Sequence, residues 1–198
     1  MSRPTTLALS RFCAAALLVL GAARSAAAAE PIEQRIAPCL ACHGANGSSQ
    51  TPLVPSLGGQ PEFFLTVQLL MFRDKLRVVA PMNEMLSGLT DADLKAMAAY
   101  FSKLPPPLPP AGAVDSGRME RARAVIEQQR CNFCHGATYG GGDDDPRLAG
   151  QREDYLAKAL ADYKNNTRRG YDASMADVLY PIGDEQLLDL AYFLARQR

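Results

Sequence analysis

Two stretches of the chain carry the same apolar stripe. Leu65, Leu69 and Phe72 recur at i, i+4 and i+7, and so do Leu156, Leu160 and Tyr163, a spacing that places apolar side chains on one face of an α-helix. A second pair follows. Thr90 is a suitable N-cap, with Asp91 and Asp93 in the first turn, and Leu94, Met97, Ala98 and Phe101 form the apolar face behind it. Its twin begins around Gly183-Asp184 and carries Leu187, Leu190, Ala191 and Leu194. Met119, Ala122 and Ile126 mark a further helix that Ser116 opens and that leads to Cys131. No stretch alternates as a strand would, and the connecting segments are rich in Gly, Pro and Asn. The pattern predicts an all-α fold built twice.

The two halves can be laid over each other. Pro55 to Gln60 match Pro146 to Gln151 at an offset of 91, which also relates the first pair of stripes and Arg77 to Arg168. The offset becomes 93 for Met82, Asp91 and Leu94 against Met175, Asp184 and Leu187. Such drift is what loop insertions between fixed helices produce, and two units make a tandem duplication, not a solenoid. Between the halves lies Leu104 to Gly112, with five prolines in the six positions 105–110. That composition can neither continue a helix nor join a sheet, and favours an extended, semi-rigid spacer. The expected organisation is a leader over 1–29, a first domain over 30–104, a linker over 105–114 and a second domain over 115–198. Each half has only about 75 to 90 residues, marginal for a core made of side chains alone.

The leader reads as a secretory signal. Arg3 and Arg11 precede an apolar run from Phe12 to Ala23, and Ser25 to Ala29 offers small-x-small cleavage choices. The run is too short to span a bilayer comfortably, so the expected outcome is export with cleavage near Ala29. Cys13 lies inside the run and would leave with it. The full chain has 21 basic and 21 acidic residues; losing Arg3, Arg11 and Arg24 leaves 18 against 21. A mildly acidic product does not suit nucleic acid, which wants a basic face.

Chemistry enters with Cys39-Leu40-Ala41-Cys42-His43 and Cys131-Asn132-Phe133-Cys134-His135. In C-x-x-C-H the two thiols can add across the two vinyl groups of one haem, and the adjacent imidazole becomes the iron's fifth ligand. With this composition a single copy arises by chance on the order of once in a thousand such chains. A zinc site would need four ligands converging on one ion, whereas these Cys pairs sit far apart in parallel contexts. Two disulfides would leave both histidines unexplained. Two covalent haems therefore account best for four of the five cysteines and both histidines, and each would fill the deficit in an undersized core. With both imidazoles used as proximal ligands, thioether sulfur is the remaining choice for an electron carrier's sixth position. In the second half only Met175 lies downstream of the motif, nine residues before Asp184. Met82 stands nine before Asp91 and is its repeat partner; Met85 competes with it, while Met71 and Met97 fall on helix faces as core residues.

The two motifs, the Leu-Gly/Ala-Gly-Gln turn before an aromatic-Leu helix, the Arg77 to Met82 loop, and Leu89 to Leu94 running into Ala98 to Phe101 together resemble the dihaem cytochrome c4 family. The resemblance covers nearly everything after the leader. It implies two class I cytochrome c domains about a pseudo-twofold axis, haem attachment outside the bacterial cytoplasm, and a periplasmic one-electron carrier. Its partners would be redox proteins (a terminal oxidase, a bc1-type complex or a dehydrogenase), with membrane contact only through them. It further implies that the carbonyls of Pro55 and Pro146 accept from the histidine ring N–H groups. The alternatives are a dihaem enzyme, such as a peroxidase or a thiosulfate-oxidising cytochrome, and a subunit docked permanently on a periplasmic dehydrogenase. Two features depart from the pattern. Pro38 directly precedes Cys39, which predicts a clipped or bent first helix, and Asp143-Asp144-Asp145 thickens the loop after the second motif, as a solvated acidic turn or, less in keeping with such runs, a docking patch.

Overall fold

The apolar stripes become the central helices of two matching units. The structure is a computed structural model describing Met1, residues 30–168 and residues 173–198; apart from Met1, the expected leader lies outside the described residues. The first unit consists of α1 (Ile32–His43), α2 (Glu62–Arg73), α3 (Ala80–Met85) and α4 (Asp91–Ser102). The second consists of α5 (Ser116–Gln129), α6 (Asn132–His135), α7 (Glu153–Lys164), α8 (Ser174–Leu179) and α9 (Asp184–Ala195). Among the described residues there is no strand, and the all-α expectation holds. Nor, among them, is any helix long and apolar enough to cross a membrane.

The closing helices form as their sequences predict. Thr90 accepts from Asp93 N while the Asp93 carboxylate accepts from Thr90 N, a reciprocal capping box that satisfies two otherwise orphaned donors. At the start of α9 the Gln186 side chain takes over this role, accepting from Gly183 N at 2.9 Å. Helix α4 packs on α1 and α2, and α9 packs on α5 and α7. Leu94, Ala98 and Ile36 are fully buried in the first core, as are Ala122 and Ala191 in the second. A side-chain core therefore exists beside the expected haem pocket in each half. Where α9 meets α5, Asp189 accepts from Arg118 Nε at 2.8 Å and Arg121 Nε at 2.6 Å.

The repeat extends to the backbone of the loops. Gly47 (φ 76°) and Tyr139 (φ 57°) both sit in the left-handed region. Each presents its carbonyl to two N–H groups: Leu57 and Gly58 in the first unit, Leu148 and Ala149 in the second. This clamp ties the loop carrying Pro55 or Pro146 back to the haem-motif helix. At Tyr139 the strain of a non-glycine there is offset by an edge-on contact of its ring with Phe193.

Two features of the sequence take a definite form in the structure. The first helix is clipped at its start, at Ile32, and runs through Pro38 to His43. The interruption lies in the other unit, where α5 ends at Gln129, Arg130 turns left-handed (φ 55°), and Cys131 precedes the short α6. The proline segment passes close to glycines of both units. A Cβ on Gly58 would fall 2.4 Å from the Pro105 carbonyl oxygen, and one on Gly150 would fall 2.4 Å from that of Pro107. The linker backbone thus lies against both units, and glycine is required where it passes.

Candidate functional site

Both histidines are buried and held alike. His43 Nδ1 lies 2.8 Å from the Pro55 carbonyl oxygen, and His135 Nδ1 lies 3.0 Å from that of Pro146. A ring that donates through Nδ1 keeps Nε2 for a metal, the arrangement by which outer partners fix a ligand's tautomer and orientation. Burial pushes both imidazoles below their usual range, outweighing the opposing effect of the carbonyls, so the neutral, ligating form is favoured. The thiols of Cys39 and Cys131 are pushed up by burial, which is the reverse of what a reactive thiolate needs. Among the described residues no group of three or more His, Cys, Asp and Glu side chains could hold a metal ion.

A cavity of about 980 Å³ runs between the two units and is shared by them. Cys39, Cys42, His43 and Met82 line it from one side, His135 and Met175 from the other. Its apolar walls come from the predicted stripes, with Leu65, Leu69 and Phe72 facing Leu156, Leu160 and Tyr163. The candidate methionines separate by position. Met71 and Met97 are 7% and 4% exposed in the first core. Met82 packs partly buried against the first core and Met175 against the second, whereas Met85, which also lines the cavity, is 43% exposed.

Arg77 and Arg168 also line the cavity, as do Asp144, Asp145 and Asp162. Arg77 lies 4.5 Å over the Phe72 ring and donates to Gln68 Oε1 at 2.6 Å; Arg168 lies 4.7 Å over the Tyr163 ring and donates to the Tyr155 hydroxyl at 3.0 Å. Burial pulls Arg77 down, and so does repulsion from Arg168. Burial pushes the Tyr155 phenol up, but Arg168 and Arg77 together outweigh this and hold it at about 8. Among the described residues, the buried Arg168 Nε has no hydrogen-bond partner. A buried guanidinium N–H left without a partner, with a second guanidinium close by, suits an anion. A planar apolar group bearing carboxylates, as haem does with its propionates, meets both requirements, so the residues present fit the group.

The cytochrome c family model matches residues 119–197. The thiosulfate dehydrogenase electron acceptor of Thiomonas intermedia (strain K12) is 35% identical, over 89% of this chain and 85% of its own. Cytochrome c4 of Stutzerimonas stutzeri is 32% identical, over 89% of this chain and 92% of its own. The chain belongs to the dihaem cytochrome c4 family. The crystal structure of reduced recombinant cytochrome c4 from Pseudomonas stutzeri superposes on this one with a TM-score of 0.77 at 28% identity, covering 84% of this chain and 97% of that one. As a cytochrome c4, the protein carries two covalently bound haem c groups, acts as an electron carrier and exchanges electrons with redox partners; export fits that membership.

Sequence reasoning left two parts of the site without a role. Arg77 and Arg168 were matched by the repeat, but Tyr155, which stands between them, corresponds to Phe64 in the first unit and so gave no repeat signal. Gln60 and Gln151 were matched as well, yet nothing in the sequence says that each reaches into the other unit. Gln151 Oε1 accepts from Ser56 N and its Nε2 donates to Ser56 O, both at 2.8 Å; Gln60 Oε1 accepts from Arg147 N at 3.0 Å and its Nε2 donates to Arg147 O at 2.8 Å. Each half therefore has a buried glutamine that reaches into the other half, although Gln151 Oε1 also accepts from Arg152 N of its own half at 3.0 Å.

Proposed function

We propose that Cys39 and Cys42 hold one haem and Cys131 and Cys134 the other, with His43 and His135 as proximal ligands and Met82 and Met175 closing the iron on the distal side. The units are residues 30–104 and 115–198, joined by 105–114 after a leader over 1–29 is removed in the periplasm. When bound, each haem supplies a one-electron iron couple. The chain's own residues keep the ligand set constant, hold the imidazoles neutral through Pro55 and Pro146, exclude water with the α2 and α7 stripes, and balance the propionates with Arg77 and Arg168. The observation that carries this reading is the duplicated set of a buried histidine on a proline carbonyl and a half-buried methionine, both facing one cavity.

A carrier with both irons closed has no vacancy for a substrate, so the protein is not itself an enzyme. Its donor or acceptor is a periplasmic dehydrogenase, a terminal oxidase or a bc1-type complex. The relative named as a thiosulfate dehydrogenase electron acceptor supports the first of these. Mixed with a thiosulfate dehydrogenase and thiosulfate, the oxidised protein should be reduced at both haems, and alone with thiosulfate it should stay oxidised. Rapid reduction by thiosulfate without the dehydrogenase would contradict the carrier role.

A further inference from the structure

Each peptide group that holds a histidine is itself held from the other unit. The Pro55–Ser56 peptide accepts from His43 Nδ1 at 2.8 Å through its carbonyl and donates to Gln151 Oε1 at 2.8 Å through its N–H. The Pro146–Arg147 peptide accepts from His135 Nδ1 at 3.0 Å and donates to Gln60 Oε1 at 3.0 Å. All the described peptide bonds are trans, so the N–H and C=O of each peptide point opposite ways. Histidine, peptide and glutamine thus form one continuous hydrogen-bonded line. Ser56, Gln60 and Gln151 are 2%, 6% and 4% exposed, and at such dry positions hydrogen bonds in series polarise one another most.

We propose that Gln151 and Gln60 are positioning residues acting across the interface: each sets the basicity of the carbonyl that holds the other unit's histidine, and so tunes the other unit's haem. The proposal rests on His43 and His135 being the proximal ligands. An acceptor on the peptide N–H draws electron density towards the carbonyl oxygen. The carbonyl then takes the Nδ1 proton more strongly and makes the imidazole a better donor to iron, an established effect of outer partners on metal ligands. A stronger donor favours Fe(III). The relay through Ser56 is shorter and its N–H end is on a buried residue, whereas Arg147 is half-buried. The first haem should therefore feel its glutamine more than the second. The interface becomes more than glue: loosening it in a complex would shift both potentials without moving a ligand.

The test is a crossed pair of variants followed haem by haem in a redox titration read by NMR. Gln151→Leu should lower the Fe(III)/Fe(II) ratio of the first haem at fixed potential by about threefold, a rise of ~28 mV at 59 mV per decade, and leave the second nearly unchanged. Gln60→Leu should do the reverse, more weakly. Gln151→Glu, which restores an acceptor for Ser56 N, should return the first haem to its original potential or below, and decides the matter if Gln151→Leu fails to fold. Shifts confined to the haem of the mutated unit, equal shifts of both, or no recovery with Gln151→Glu would overturn the relay while leaving the ligand assignment intact. A wild type without two His-ligated haems would overturn both.

Discussion

Replacing Cys131 and Cys134 together with alanine should remove about half of the protein's helical circular-dichroism signal while one haem stays attached to the first unit. The second unit has a side-chain core along α5 and α9, but its α7 stripe faces the shared cavity of about 980 Å³. An apolar cavity costs ~24 cal/mol per Å³, so leaving even a tenth of this volume unfilled costs ~2 kcal/mol, out of a total stability of ~5–15 kcal/mol for an ordinary domain. Without its covalent tether the haem is lost, His135 Nε2 and the Arg168 Nε lose the groups they would serve, and the α7–α8 wall collapses or unfolds. The first unit loses stability too, because Gln60 and Ser56 lose their partners in the second unit. A spectrum with full native helix content in this variant would mean that the haem is not structural.

Changing Met82 or Met175 to alanine should each abolish about half of the methionine-to-iron charge-transfer absorbance and lower the potential of one haem by ~100 mV or more, within the ~0.8 V range over which axial ligands set haem potentials. The same change at Met85 should have little effect. Met82 and Met175 are packed against their cores at matching points of the repeat, whereas Met85 is 43% exposed at the end of α3. A ligand needs its rotamer held in place, and packing supplies that. If Met85→Ala rather than Met82→Ala removes the band, the one-turn ambiguity in α3 resolves the other way. Folding should be assessed alongside, because Met82 also contributes to the first core.

What was legible in the sequence was whatever depends on local pattern. The stripe at Leu65, Leu69 and Phe72 identified α2, Thr90 and Asp93 identified the capped start of α4, and the duplicated C-x-x-C-H identified the cofactor. The tertiary assembly was not legible. Five prolines in the six positions 105–110 look like a spacer in any sequence; that they lie against Gly58 and Gly150 depends on two distant loops meeting them. Pro38 was expected to clip or bend α1. A proline costs a helix one N–H bond and a clash with the preceding turn, and here the helix continues, while the true break falls at Arg130, whose left-handed backbone no glycine announces. The glutamine pair shows the same limit. Gln60 and Gln151 read as ordinary polar turn residues, and only the packing of one unit on the other turns them into buried partners of Arg147 and Ser56.

The central claim is that both irons are closed and exchange single electrons. It is tested most directly by titrating the wild-type protein with reductant while its optical and electron paramagnetic resonance spectra are recorded, then challenging the oxidised form with cyanide and hydrogen peroxide. Two low-spin haems, two electrons taken up per chain in one-electron steps, and no rapid ligand binding at either iron are expected. A resting high-spin haem that binds cyanide or reacts with peroxide quickly would contradict the account and make the protein an enzyme.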